Sequence, residues 1–332
     1  MSGLRSKLVC GRNSIAVKPC FGRILRAMRL CCPVLIALLL FAGCDKTSTH
    51  IVTGPGIEAT VRVESAPVRP ERHPVGIPAG PNDLPSSEFN KPYYSGTYCV
   101  LTVEDALLVI NQAEDEFFDL YINLAGVRES FQNQDGTFCL SCFKERLDTF
   151  SEVDFSPFAL NATIRGHILF DDPHVAENWG GSPVDYEDID SAASYSRQLF
   201  PTMSVGIAAP ASFLIGGAPY SKLDFCLTDY NTSMGSFGTH IASELVAADA
   251  ADLGIVFNLD AAGLEGGQPM TAYQVLFWGK ELVCEPSTLG VLMGTYDSTY
   301  FADPAIRSAV RRVVGAASYG IFEDIQCGTA MK

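Results

Sequence analysis

Between Val75 and Ala317, short apolar runs alternate with stretches of helical period almost without a break. The runs are Val75–Ala79, Asp119–Ala125, Thr163–Phe170, Met203–Ala208, Leu223–Leu227, Gly254–Leu259 and Leu289–Thr295. The helical stretches run from Thr102 to Phe118, Leu140 to Phe150, Asp188 to Leu199, Phe237 to Ala251, Thr271 to Val283 and Pro304 to Ala317. Strands separated by helices cannot pair as tight hairpins. They return in the same direction, which demands repeated βα units and a parallel sheet. The repeat length suits an α/β TIM-barrel-like fold, a (β/α)8 or a slightly irregular (β/α)7–8 barrel. Seven strands are plain and an eighth is not. A doubly wound nucleotide fold is the weaker alternative. No GxGxxG follows a strand, no GxxxxGK occurs, and the one Gly-rich loop, around Gly263, Gly266 and Gly267, lacks a lysine.

In such a barrel the chemistry sits where strands end. The most informative end is in Ala162–Trp179: Ile168–Phe170 runs into Asp171, Asp172 and Pro173. The residue before a proline is pushed towards extended geometry, which places Asp172 at the very end of the strand. The other ends offer Asp229 with Tyr230, Asn258 with Asp260, and Tyr296 with Asp297. Carboxyl pairs across one rim suit glycosidic cleavage, in which one protonated acid donates to the leaving oxygen and one carboxylate attacks or activates water. Asp172, Asp297 and Asp229 are the candidate catalytic residues. Asp171, His174, Trp179, Tyr230, Asn258, Tyr296 and Arg128 are candidates for holding substrate, the aromatic ones as flat apolar faces for sugar rings. Against these roles stand plain ones: Asp–Pro starts turns, and an Arg after a strand commonly pairs with a nearby acid. For Asp105, Asp188 and Asp303 the helix-cap role is preferred. His167 lies inside a strand and reads as a core residue. No cofactor is expected, and no metal: His174 has only His240 as a plausible companion. No GxSxG serine elbow is present.

The front of the chain is of another kind. Residues 1–44 carry Arg5, Lys7, Arg12, Lys18, Arg23, Arg26 and Arg29 and no acid, followed by the apolar run Pro33–Gly43 and Cys44. That run is shorter than the roughly 20 residues a membrane span needs, and it fits the hydrophobic region of an export signal. Phe41-Ala42-Gly43-Cys44 resembles the bacterial lipobox, which implies that Cys44 becomes the first mature residue and carries lipid (palmitate), and that the protein is anchored to the membrane rather than spanning it. Met28 begins a compact signal by itself and is a second candidate start. Residues 45–72 read as a flexible tether with one short edge strand at Ala59–Glu64, and 73–325 as a single barrel domain. The location implied is the cell envelope, periplasm included, with the domain outside the cytoplasm on an inner or outer membrane.

The formal net charge of the whole chain is −15. Without the basic leader the balance is more acidic still, which excludes nucleic acid as a partner. Six cysteines follow Cys44: Cys99, Cys139, Cys142, Cys226, Cys284 and Cys327. An exported chain permits disulfides among them, with the pairing left open. For Cys139 and Cys142 a local disulfide or two half-buried thiols is favoured over redox activity.

At these residues the chain resembles a group of bacterial lipoproteins with a glycoside-hydrolase-like TIM barrel. The resemblance rests on Asp171-Asp172-Pro173 followed by Asn178-Trp179-Gly180-Gly181, on Tyr296-Asp297-Ser298-Thr299-Tyr300, on Met270-Thr271-Ala272 and on Trp278-Gly279. It runs from Gly76 to Ala317. In that group the strand ends in Asp-Glu-Pro, so Asp172 stands where a glutamate would be. Aspartate is one methylene shorter, and a retraction of roughly 1 Å can cost about a hundredfold in rate. Two functions follow: a glycoside hydrolase-like lipoprotein acting on carbohydrate through rim carboxylates, or a non-catalytic glycan-binding or scaffold lipoprotein that retains the barrel.

Overall fold

The computed structural model describes residues 5–10, 13–17, 47–54, 57–64, 76–264 and 266–319. They fall into two units divided between Arg72 and His73.

The first unit holds an antiparallel sheet of Arg5–Cys10, Asn13–Val17, Thr47–Gly54 and Ile57–Glu64. The last two pair along their whole length, with Gly54 opposite Ile57. Thr47–Gly54 falls where the sequence reading expected a tether; its Thr, Ile and Val residues favour extended backbone. Its partner begins two residues ahead of the expected edge strand. The apolar run Pro33–Gly43 and Cys44 lie outside the described residues.

The second unit is a (β/α)8 TIM barrel. Its strands are β1 (Ala79–Asn82), β2 (Gly96–Val100), β3 (Asp119–Asn123), β4 (Ile164–Asp171), β5 (Val205–Ala208), β6 (Phe225–Tyr230), β7 (Gly254–Leu259) and β8 (Thr288–Thr295). They lie in the order β1-β8-β7-β6-β5-β4-β3-β2, and every ladder is parallel. Between β1 and β2 the barrel closes without a ladder. Ser95 N donates to Ala79 O (2.9 Å) and Asp83 N to Tyr98 O (2.7 Å). Thr97 Oγ1 donates to Pro81 O (2.6 Å). Pro81 has no N–H to give a ladder, so a side chain bridges there.

The expected first strand is shifted: it starts at Ala79, not Val75. The eighth strand is β2, which the sequence reading missed. β6 runs on to Tyr230, so Asp229 and Tyr230 lie within a strand and face opposite sides.

The helices are α1 (Ala106–Asp115), α2 (Leu140–Asp148), α3 (Ser156–Leu160), α4 (Tyr186–Leu199), α5 (Ala211–Leu214), α6 (Phe237–Ala250), α7 (Ala272–Cys284) and α8 (Pro304–Tyr319). α3 and α5 were not foreseen. Several starts are fixed by side chains that satisfy first-turn N–H groups. Thr271 and Gln274 form a reciprocal capping box on α7. Asp303 accepts from Ala305 N (2.7 Å) and Ile306 N (3.2 Å) ahead of Pro304. α1 begins at Ala106, because Asp105 reaches back to Thr102 N (2.8 Å) and closes a turn first.

Inside the barrel, Tyr98, Tyr121, Ile168, Ala208, Phe225, Leu227, Val256 and Leu292 pack as one apolar cluster. Phe225 crosses the lumen. A Cβ on Gly166 would meet its ring at 2.6 Å and one on Gly206 at 2.2 Å, so only glycine leaves β4 and β5 room for it. The larger core lies between sheet and helices. His167 belongs to that layer, fully buried: Leu124 N donates to its Nε2 (3.4 Å), and Nδ1 lies 2.7 Å from Ser196 Oγ. Burial drives its pKa from 6.5 to about 3. Cys139 and Cys142 form a disulfide, Cys284 is disulfide-bonded, and Cys99 and Cys226 are buried thiols.

Candidate functional site at the barrel mouth

Ile168 faces the lumen, and a regular pleat would send Phe170 and Asp172 the same way. The register forbids it. Ile168 stands opposite Gly206 and Asp171 opposite Ala208, three steps on β4 against two on β5. The extra residue is a β-bulge, a device that re-aims a side chain. Phe170 turns to the helices, where its ring lies 5.6 Å from Trp179 and 4.9 Å from Phe138. Asp171 turns inward, and the Tyr98 hydroxyl donates to its Oδ1 (3.0 Å).

Asp172 is therefore not the inward strand end. Its backbone is left-handed, at φ 55°, a conformation that costs a side-chain-bearing residue about 1 kcal/mol or more. Both sides of the peptide hold it there. Its N–H donates to Ala208 O (2.9 Å), and its carbonyl accepts from Trp179 Nε1 (2.8 Å).

The inward residues at the strand ends form two hydrogen-bonded chains. In one, Asn123 Nδ2 donates to Tyr98 Oη (3.1 Å), which donates to Asp171. In the other, Asn82 Nδ2 donates to Asn258 Oδ1 (3.2 Å), and Asn258 Nδ2 donates to Asp229 Oδ1 (2.7 Å). Gly294 N also donates to Asn258 Oδ1 (2.8 Å). Ala208 is level with both Asp171 and Leu227, so Asp229 lies two residues further along β6. A two-residue step across two strands is what the tilt of an eight-stranded barrel requires for one layer of inward side chains. Asp171 and Asp229 belong to the same layer.

The Asp171 carboxyl is open to water at the mouth, yet protein crowds it from the sides. That crowding raises its pKa to about 6. The Tyr98 hydrogen bond pulls the other way, Asp172 and Asp83 raise it further, and Arg128 lowers it. Tyr98 is itself held protonated, chiefly by burial and then by Asp171, so its hydroxyl stays a donor. Asp83, in the loop after β1 at φ 51°, has its own carboxyl raised by burial.

The remaining sequence candidates are placed as follows. Tyr230 faces the helices, buried, with its hydroxyl on Gly235 O (2.8 Å) and its ring against Phe237 and Trp278. Trp179 is 1% exposed among Phe131, Phe138 and Phe170, so neither ring offers a sugar platform. Asp297 holds a turn: its Oδ1 accepts from Thr299 N (2.8 Å) and Tyr300 N (2.7 Å). Asp260 is buried and accepts from Leu264 N (2.9 Å). Tyr296 is half-buried, stacked on Phe301 and edge-on to Tyr94. His174 is half-buried beside Phe213, and burial lowers its pKa despite Asp172 and Glu244. His240 Nε2 lies 3.0 Å from the Asp229 carbonyl, a contact made outside the lumen. Among the described residues no group of three or more His, Cys, Asp or Glu is placed to hold a metal.

Asn82, Tyr98, Asn123 and Asp83 were missed. Asn123 had a signal, a lone amide inside the apolar run DLYINLA. Tyr98 went with its unrecognised strand.

No family model and no curated protein matches the chain. Solved structures similar in chain path include a D-psicose 3-epimerase, at 12% identity and TM-score 0.43, covering 72% of this chain and 97% of that one. ScGas2 in complex with compound 8 is similar at 10% identity and TM-score 0.49, covering 82% and 68%. A glycoside hydrolase family 20 β-N-acetylglucosaminidase is similar at 10% identity and TM-score 0.42, covering 80% and 74%. At such identities the likeness is one of fold, and the strand order above is what establishes the barrel.

Proposed function

We propose that the barrel mouth cleaves a glycosidic bond, with Asp171 as proton donor and Asp229 as its partner carboxylate. One observation carries this reading: the Asp171 carboxyl, its pKa raised to about 6 by the protein that crowds it, shares a layer of the lumen with the carboxyl of Asp229. A crowded acid and a hydrogen-bonded carboxylate are the two parts that glycosidic cleavage needs. Asp171 protonates the leaving oxygen, and the Tyr98 hydroxyl then stabilises the carboxylate left behind. Asp229, held by the Asn258 amide, attacks the anomeric carbon or activates water.

The test is release of reducing ends from a glycan panel by the protein and its Asp171→Asn and Asp229→Asn variants. Loss of a general acid costs about 10²–10⁴-fold. Release in the parent falls as pH rises through about 6, where Asp171 gives up its proton. Release that survives Asp171→Asn undiminished would sink the proposal.

A second reading, glycan binding without cleavage, draws on the Tyr98 bond, since a donor to a carboxyl oxygen favours the ionised form. Binding by the parent with no release would select it. In either case the leader reading tethers the domain to the cell envelope through lipid on Cys44. Mass spectrometry of the N-terminal peptide, searched for an acylated cysteine, tests that part.

A further inference from the structure

We propose that Arg128 makes the mouth selective for glycans bearing an oxyanion, a uronate or a sulfate ester, in the position next to Asp171 on the β3 side. This rests on the glycan reading above and names its substrate class.

Arg128 follows β3 by five residues, in a loop that is held firmly. Asn123 Oδ1, in the mouth itself, accepts from Gly126 N (3.0 Å). Arg146 Nε donates to Ala125 O (3.2 Å), and Ser130 Oγ donates to Val127 O (2.6 Å). Phe131, at the end of the loop, is buried. The Arg128 guanidinium lies 6.0 Å over the Trp179 ring, which is fixed in turn by its bond to Asp172 O. A planar cation on an aromatic face keeps its edge, with its forked N–H donors, open to a partner.

Among the described residues that edge makes no side-chain hydrogen bond. The polar partner of Arg128 among the described residues is Glu129, its own neighbour, at 3.8 Å, on a side chain 70% exposed. Such a pair contributes little and is easily exchanged. Other arginines are committed. Arg165 pairs with Asp119 and Arg197 with Asp224, while Arg146 and Arg307 donate to the carbonyls of Ala125 and Phe301. The loop after β3 lies at the same end of the barrel as the end of β4, and the Trp179 ring beneath Arg128 is bonded to the carbonyl of Asp172, the residue after Asp171, which places Arg128 at the mouth. In a chain of net charge −15 the overall field repels anions, so an anionic ligand must be recognised locally. Carboxylate and sulfate both match the guanidinium fork.

The test is calorimetric binding of oligosaccharides in matched pairs: uronic acid chains against their methyl esters, and sulfated chains against desulfated ones. The full-length protein is compared with its Arg128→Gln and Arg128→Lys variants. In the parent, one anionic series binds about 10–100-fold tighter than its neutral partner, the range expected for hydrogen bonds to a charged group. Arg128→Gln abolishes that preference, the anionic form losing far more affinity than the neutral one, while Arg128→Lys keeps part of it. A loss shared equally by charged and neutral forms would make Arg128 a structural support and overturn the inference. Equal binding of both forms by the parent would overturn it and leave the glycan reading standing. Binding of neither form would overturn both.

Discussion

The lower and upper halves of the barrel interior are built on the same strands with opposite aims. Below, Tyr121, Phe225, Ile168, Leu227, Val256 and Leu292 fill the lumen, and two glycines give way so that one aromatic ring can cross it. Above, the inward positions pass to Asn82, Tyr98, Asn123, Asp171, Asp229 and Asn258, tied by hydrogen bonds, with Asp171 exposed, Asp229 half-buried and the rest buried. The change comes within two residues on a strand: Leu227 then Asp229, Val256 then Asn258. The lower layers lock the strands in register, and only because they do so can the upper layer hold a costly group such as Asp171 in place.

The largest expected effect tests the lower half. Phe225→Ala removes the crossing ring and leaves a void between Gly166 and Gly206, where no neighbouring Cβ can move in. Such truncations cost about 3–5 kcal/mol, measured as a fall in the urea midpoint at unchanged slope. A cost below about 1 kcal/mol would mean that the lumen collapses freely and that the lower layers do not set the register.

The next effect comes from His167, whose folded pKa of about 3 lies below its ordinary 6.5. The unfolded chain binds this proton first as pH falls, so stability is lost from pH 6.5 down towards 3. At pH 4.5 the loss is on the order of 3 kcal/mol. Urea titrations at pH 7 and 4.5, with the ring followed by NMR, check this; a ring that titrates near 6.5 in the native protein would rule it out.

The lower half was largely legible in the sequence and the upper half only partly. Gly254–Leu259 and the Thr271 cap could be read because a buried parallel strand and a capped helix are local patterns. Gly96–Val100 could not: it is short, half polar, and ends without a break. The bulge in β4 is invisible by nature, because it exists only in the register between β4 and β5. Without it, alternation from Ile168 and the proline at 173 both favour Asp172 as the catalytic acid, and the neighbouring Asp171 reads as a substrate contact. Trp179 likewise looked like a surface aromatic, because the pocket that buries it is assembled from Phe131, Phe138 and Phe170 on separate segments.

The smallest effect sharpens the comparison most, because it sets the two halves against each other in one pH window. Asp171 has its pKa raised to about 6 from 3.8, so the folded state holds a proton that the unfolded chain has released. Its contribution is greatest below pH 3.8 and is lost as pH rises to about 6, the reverse of His167. The parent's pH dependence in this range is therefore a difference between a core term and a mouth term. Asp171→Asn removes the mouth term. Stability at pH 7 then rises by on the order of 1 kcal/mol, discounted because water reaches the carboxyl, which is about 2–4 °C in melting temperature. Between pH 4 and 6 the variant's stability climbs more steeply than the parent's, since His167 acts unopposed. A variant less stable than the parent at pH 7, with an unchanged slope, would show that Asp171 is held ionised by Tyr98 as a structural link. The division between a stabilising floor and a strained, proton-holding mouth would then fail at the one residue that defines it.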